Sequence, residues 1–178
     1  GYTKGGIDNN THFGSNDIFL VKYNSSGVKH WTRQLGTPQK ERVDDGPGGV
    51  TVDSSDNIYV TGYTEGGLDG NTSSGSADIF LVKYNSSGTK QWTKQLGTNV
   101  NDYGYGVTVD SSDNIYVTGA KRGGLDGNTN SGLGKSDLFL VKYNSSGTKQ
   151  WTQQLGTSST DYGLGVTVDS SDNIYVTG

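Results

Sequence analysis

An all-β fold, a β-propeller segment of three four-stranded antiparallel blades, is what this 178-residue sequence predicts. Two features carry that expectation: the apolar residues come in short runs separated by glycine and serine, and the runs recur in three copies. Hydrophobic residues make up only 29% of the chain and 29 positions are glycine, a balance that without pattern would point to disorder. The pattern is that of strands and turns, as in Ile79-Phe80-Leu81-Val82 and Asn114-Ile115-Tyr116-Val117. Asp-[Ile/Leu]-Phe-Leu-Val-Lys-Tyr-Asn-Ser-Ser-Gly begins at Asp17, Asp78 and Asp137, at intervals of 61 and 59 residues. Val-Thr-Val-Asp-Ser-Ser-Asp-Asn-Ile-Tyr-Val-Thr-Gly begins at Val50, Val107 and Val166, at intervals of 57 and 59.

In the middle copy, residues 78 to 85 read as strand a, an apolar run fit for burial on both faces. Asn85-Ser-Ser-Gly88 turns the chain into strand b, residues 89 to 96, with Trp92 inside it. Strand c covers 105 to 110, Ser111 to Asn114 is a second turn, and strand d covers 115 to 119. The expected blades are therefore about 17–62, 78–119 and 137–178, with 1–16 a leading d-to-a loop, all within one propeller segment spanning 1–178. A stacked solenoid is the rival fold, but its repeat is shorter and needs no two hairpins per copy. Gly1-Tyr-Thr and Val-Thr-Gly178 align with the middle of Val60-Thr-Gly-Tyr-Thr64, so the ends are expected at a seam between blades. Propellers close with four or more blades, and three leave two outer faces bare. The expected partner is a second chain that joins head to tail and makes six blades; further blades of a longer chain are the alternative.

Phe-Leu-Val-Lys-Tyr-Asn-Ser-Ser-Gly-Thr-Lys-Gln-Trp followed by Gly-Val-Thr-Val-Asp-Ser-Ser-Asp-Asn-Ile-Tyr-Val-Thr-Gly resembles the bacterial SBBP family of β-propeller repeats, over essentially the full chain. The first half is also similar to quinoprotein-type blades and the second to NHL-type blades. The resemblance implies a propeller in secreted or surface-exposed proteins and brings no catalytic residues with it. Localisation is accordingly expected to be extracellular or at the cell surface.

Several function classes find no support. The formal charge is -4, and Lys and Arg are scattered singly, so a nucleic-acid partner is not expected. No apolar run approaches the roughly 20 residues of a membrane span. Without cysteine there is no disulfide and no thiolate metal site. His12 and His30 are the only histidines, both in the first copy and without a nucleophile motif or metal-ligand pair. Gly104-Tyr-Gly106 leads into a strand and not into a helix, so it is no dinucleotide loop. No catalytic residue, and no cofactor, is expected. A carboxylate-dependent propeller hydrolase ranks third among the functional readings, because spaced aspartates alone mark no acid and base.

Comparison of the copies separates framework from variable surface. Both tight turns are constant, whereas the b-to-c connections at 37–45, 98–102 and 157–161 and the d-to-a connections at 2–16, 63–77 and 120–136 differ. In a propeller these two kinds emerge on one face, where binding residues on long loops are expected. The leading reading is a non-catalytic extracellular binding or adhesion module for a glycan, peptide or protein; a self-assembly unit that closes a ring through its terminal blades is second. Tyr103, Tyr105 and Tyr162 flank the variable connections and have no aromatic counterpart in the first copy, which has Gly46, Pro47 and Gly48 there. Asp45, Asp102 and Asp161 precede strand c and read either as a ring of carboxylates or, the favoured reading, as hydrogen-bonded strand starts. These six residues form the candidate ligand site. Asp8, Asp69 and Asp126 lie in Gly-Gly-[Ile/Leu]-Asp-x-Asn-Thr loops and are weak calcium candidates, with turn-forming hydrogen bonds the favoured account. The Asp-Ser-Ser-Asp-Asn segments lack the central Gly and terminal Glu of a calcium loop and read as hairpin turns. Trp31, Trp92 and Trp151, with Tyr23, Tyr84 and Tyr143, read as packing between blades.

Overall fold

Strand d of the first and second copies is rich in β-branched residues and is followed, after a glycine-rich connection, by the apolar strand a of the next copy; these two strands pair along their full length. The computed structural model describes residues 1–43 and 49–178. Its first sheet holds β1 (Tyr2–Thr3), β2 (Asp17–Tyr23) and β3 (Lys29–Leu35). The second holds β4 (Glu41–Arg42) and β5 (Val50–Val52), which both pair with β6 (Ile58–Thr64), then β7 (Asp78–Tyr84) and β8 (Lys90–Leu96). The third is β9 (Asp102–Val109), β10 (Ile115–Lys121), β11 (Asp137–Tyr143) and β12 (Lys149–Leu155), and the fourth is β13 (Gly165–Val168) with β14 (Ile174–Thr177). All these pairings are antiparallel.

The all-β architecture of four-stranded antiparallel blades is present, but the blade boundaries expected at 17–62, 78–119 and 137–178 are displaced by half a repeat. The second and third sheets run c-d-a-b, with c and d from one copy and a and b from the next, while the first holds only d, a and b strands and the fourth only c and d. The long d-to-a connection closes a hairpin within a sheet, with β6 and β7 in register from Ile58 opposite Tyr84 to Thr64 opposite Asp78. The short b-to-c connection is the one that crosses to the next sheet. Two complete blades result, 41–96 and 102–155, and the strands of a third are divided between the two ends. The termini correspond to the interior of strand d, as Ile58–Thr64 shows, and not to a seam between blades.

Strand a is buried on both faces as its composition demands: Phe80, Leu81 and Val82 are all essentially inaccessible. Two apolar clusters follow, one around Phe80 and one around Phe139. The c strands converge, β9 touching both β5 and β13. Close approach there requires glycine: a Cβ on Gly104 would lie 2.7 Å from Thr61 Oγ1 and 2.9 Å from the Gly62 carbonyl oxygen.

The constant turns are built by side chains. Asn85 Oδ1 accepts the N–H groups of Ser87 and Thr89 at 3.2 and 2.8 Å. Asp110 Oδ1 accepts those of Ser112 and Asn114 at 3.0 and 2.8 Å, while its Oδ2 accepts from Asn114 Nδ2 and the Tyr116 hydroxyl at 2.8 and 2.9 Å. These are hairpin turns of the Asx kind, with Asp113 in the left-handed region at φ 60°.

Burial pushes the Asp110 carboxyl up, but the hydrogen bonds from Asn114 and Tyr116 outweigh it and leave the pKa below the usual carboxylate value. A carboxylate lowered in this way stabilises the fold above about pH 4 and loses that contribution as the pH falls through its folded value. Asp110→Asn is expected to cost about 1–2 kcal/mol at pH 7. It should also flatten the loss of stability on acidification below pH 4, read by thermal unfolding at each pH; a decline as steep as the parent's would contradict the assignment.

Candidate functional site

The strand register gathers every variable connection at one end of the sheets. Thr64 lies opposite Asp78, Lys121 lies between Asp102 and Asp137, and Leu96 lies opposite Ile79. The a-to-b and c-to-d turns occupy the other end.

At the variable end, carboxylates fasten the start of each c strand. Asp102 Oδ2 accepts the Thr98 N–H and hydroxyl at 2.5 and 2.8 Å, and Asp161 Oδ2 accepts those of Thr157 at 2.7 and 3.1 Å. In the first copy this place is taken by Glu41, whose Oε2 accepts the Thr37 N–H at 2.8 Å and whose Oε1 accepts the Thr37 hydroxyl at 2.5 Å. Asp45, which lies outside the described residues, is therefore not the counterpart of Asp102. The first copy carries four more residues between this carboxylate and strand c, so counting back from the strand finds the wrong residue, while counting four on from the threonine finds Glu41. Glu41 and Asp102 are fully buried, and burial raises the pKa of both against the opposing pull of the threonine hydrogen bonds. Asp102 is thus withdrawn from contact with any ligand, and Asp161 is committed to Thr157. Both are strand-start fasteners.

The tyrosines do come together. Tyr103 and Tyr105 project from the same face of β9, two residues apart, and stack with ring centroids 6.2 Å apart and planes 15° from parallel. Tyr63 on β6 meets Tyr103 edge-on at 4.9 Å, and Tyr162, just before β13, lies 6.3 Å from Tyr105. The row runs from a buried end at Tyr63 to an open one at Tyr162, which is 47% exposed. Arg42, opposite Tyr63 in register, lies over the Tyr2 ring at 4.6 Å and extends the polar-aromatic surface toward the first sheet. Sequence comparison missed Tyr63 and Tyr2 because strand d was expected to stop at its glycine; their shared place one residue later, where the second copy has Ala120, was the available signal. Gly46, Pro47 and Gly48 lie outside the described residues.

The calcium candidates are satisfied from within. Asp8, Asp69 and Asp126 all sit in the left-handed region, at φ 51°, 53° and 51°. Their carboxylates receive Lys29 and Thr32, Lys90 and Thr93, and Lys149 and Thr152 respectively. At Asp126 burial pushes the pKa up, but the bonds from Lys149 and Thr152 bring it below the usual value. The neutralising cation in each loop is a lysine from strand b. Among the described residues no group of three or more His, Asp or Glu is placed to hold a metal.

Lys121 is a further buried charge that the sequence does not point to. It takes the place of Thr64 and is fully buried, and among the described residues its Nζ has no hydrogen-bond partner. Burial lowers its pKa to about 8, with Asp102, Asp126 and Asp137 acting in the opposite sense. Addition of calcium or of a chelator is expected to leave the melting temperature unchanged, because each loop carboxylate already has its ammonium. A stabilisation of several degrees by calcium would contradict this.

Comparison with known proteins adds a family. The model of the SBBP beta-propeller repeat matches residues 30–69, 91–120 and 150–178. An uncharacterized WD repeat-containing protein of Acanthamoeba polyphaga mimivirus is 30% identical over 169 residues, covering 72% of this chain and 12% of that protein. The regulatory protein FlaEY of Caulobacter vibrioides is 28% identical over 146 residues, covering 78% of this chain and 15% of its own length. The chain spans less than a sixth of either relative, and neither is named as an enzyme.

Proposed function

The chain belongs to the SBBP family of β-propeller repeats, and from that premise we propose a non-catalytic interaction module, extracellular or at the cell surface, that binds a protein segment along its tyrosine row. The observation that carries this reading is the continuous contact Tyr63–Tyr103–Tyr105–Tyr162 on strands that converge beneath the variable connections. Tyrosine supplies large, rigid contact area with a hydroxyl for orientation, and it is enriched in protein-recognition surfaces for that reason. A rigid row set among loops of differing sequence is suited to recognising one partner by shape while the loops set specificity. The relatedness to repeat-containing and regulatory proteins is in keeping with an interaction role.

A hydrolase reading draws no support from the carboxylates. Among the described residues, Glu41 and Asp102 are buried and Asp161 is tied to Thr157, so these three carboxylates supply no exposed acid and base pair. The same arrangement removes Asp102 from the ligand site and leaves Tyr103 and Tyr105, both half-buried, and the exposed Tyr162.

Arrays of defined peptides and of defined glycans provide the test. Binding to a peptide or protein set is expected, with Tyr162→Ala and Tyr105→Ala each weakening it tenfold or more, about 1.4 kcal/mol, while the melting temperature of Tyr162→Ala stays near the parent's. Glycan binding that depends on the same two residues would replace the partner class. Binding unmoved by both substitutions would overturn the site.

A further inference from the structure

Lys121 stands between two buried carboxylates. In register it faces Asp102 of β9 on one side and Asp137 of β11 on the other. Directly opposed residues project from one face of a sheet, with Cβ atoms about 5 Å apart. All three side chains are fully buried, and among the described residues Lys121 Nζ, Asp102 Oδ1 and Asp137 Oδ1 have no hydrogen-bond partner. Asp126 is the further charge acting on the amine, and its carboxylate is engaged by Lys149 and Thr152. In the first complete blade the same positions hold Glu41, Thr64 and Asp78, and the Thr64 hydroxyl donates to Glu41 Oε1 at 3.0 Å. There a short hydroxyl satisfies the longer carboxylate. In the second complete blade a long amine faces the shorter carboxylate and makes no such bond.

Burying a charge without hydrogen bonds is costly, so this setting favours the neutral forms of both partners. Burial lowers the Lys121 pKa to about 8 and raises that of Asp102. An amine that has lost its extra proton and a carboxyl that has kept one are the nucleophile and the electrophile of amide formation. Asp102 is also poised for attack at its carbon. Its Oδ2 accepts the Thr98 N–H and hydroxyl at 2.5 and 2.8 Å, and donors so placed stabilise the negative charge that develops on that oxygen. Asp137 is held differently, with Oδ2 accepting the Ser131 N–H at 2.7 Å and Gln154 Nε2 at 2.9 Å. It is placed on the opposite flank of the amine to serve as a base.

We propose that Lys121 and Asp102 condense within the folded chain to an isopeptide bond that joins β10 to β9. The Nζ lone pair attacks Asp102 Cγ, a C–N bond forms, and the Cγ–Oδ1 bond breaks with Oδ1 leaving as water. The Asp137 carboxylate takes a proton from Nζ as the nitrogen becomes positive and passes it to the departing oxygen. The step consumes one amine and one carboxylic acid and yields one amide and one water. The product removes two ionisable groups from the interior, and its carbonyl oxygen keeps the bonds from Thr98. The first complete blade has Thr64 in place of the amine and no such reaction open to it. None of the four tyrosines of the row takes part, so the bond and the binding site stand or fall separately.

Intact-mass measurement on the folded chain is expected to give the sequence mass less one water. Trypsin does not cut after an acylated lysine, so digestion is expected to yield residues 95–122 as one looped peptide, one water lighter, in place of 95–121. Lys121→Thr, which copies the first complete blade, is expected to fold with its full mass. Asp137→Asn is expected to slow formation of the bond at least tenfold, followed by mass from the start of refolding. A parent chain that keeps its strand spectrum and its full mass would overturn the proposal, and this reading needs no variant to fold. A water loss that persists in Lys121→Thr, such as a succinimide at Asp69-Gly70 would give, would overturn it as well. So would a link from Lys121 to the peptide 136–142, which contains Asp137.

Discussion

Everything in this fold depends on the hydrogen-bonded pairing of strand d in one copy with strand a in the next. Because β6 and β10 sit between two strands each, all seven residues of both are buried. That burial fits the Ile-Tyr-Val-Thr-Gly run of strand d and the apolar [Ile/Leu]-Phe-Leu-Val centre of strand a. A single copy holds no complete sheet. Its hydrophobic strands reach a buried state only through a neighbour, which makes the copies interdependent in the manner of repeat proteins.

The same pairing divides the molecule into two ends with different duties. The turn end is held by residues that serve twice. Asp113 lies in the turn that follows Asp110 and also accepts from Ser54 of the preceding copy, so its identity is fixed both by its own hairpin and by its neighbour. The variable end carries no such chain of shared turns. There the carboxylates of Glu41, Asp102 and Asp161 anchor the c strands locally, and the intervening loops are free to differ. Tyr63, Tyr103 and Tyr105 lie at this end on paired strands, with Tyr162 just before β13, a setting that suits recognition because little order has to be created on binding.

Much of this was legible in the sequence. Strand positions, both turn types, the shared face of the variable connections, the inter-blade role of the tryptophans, and the grouping of Tyr103, Tyr105 and Tyr162 all follow from repetition and alternation. The sheet boundaries do not, for a physical reason: a repeating pattern states which strands recur but not where the hydrogen-bonded unit begins, and a long loop conceals that strands d and a are partners. Glu41 escaped notice because inserted residues separate it from the strand used for counting. The satisfaction of Asp8, Asp69 and Asp126 by Lys29, Lys90 and Lys149 joins residues more than 20 apart in sequence, beyond the reach of local spacing. Lys121 was hidden in what reads as an exposed loop start, and only the extension of β10 past Gly119 buries it.

The central claim is that each sheet is assembled across the boundary between copies. Cross-strand nuclear Overhauser contacts between backbone protons test it most directly. The account predicts contacts between Val117 and Val141, and between Val60 and Val82, with none joining Lys90–Leu96 to Asp102–Val109 as sheet neighbours. A continuous ladder between those last two strands, in place of the Val117–Val141 pairing, would contradict it.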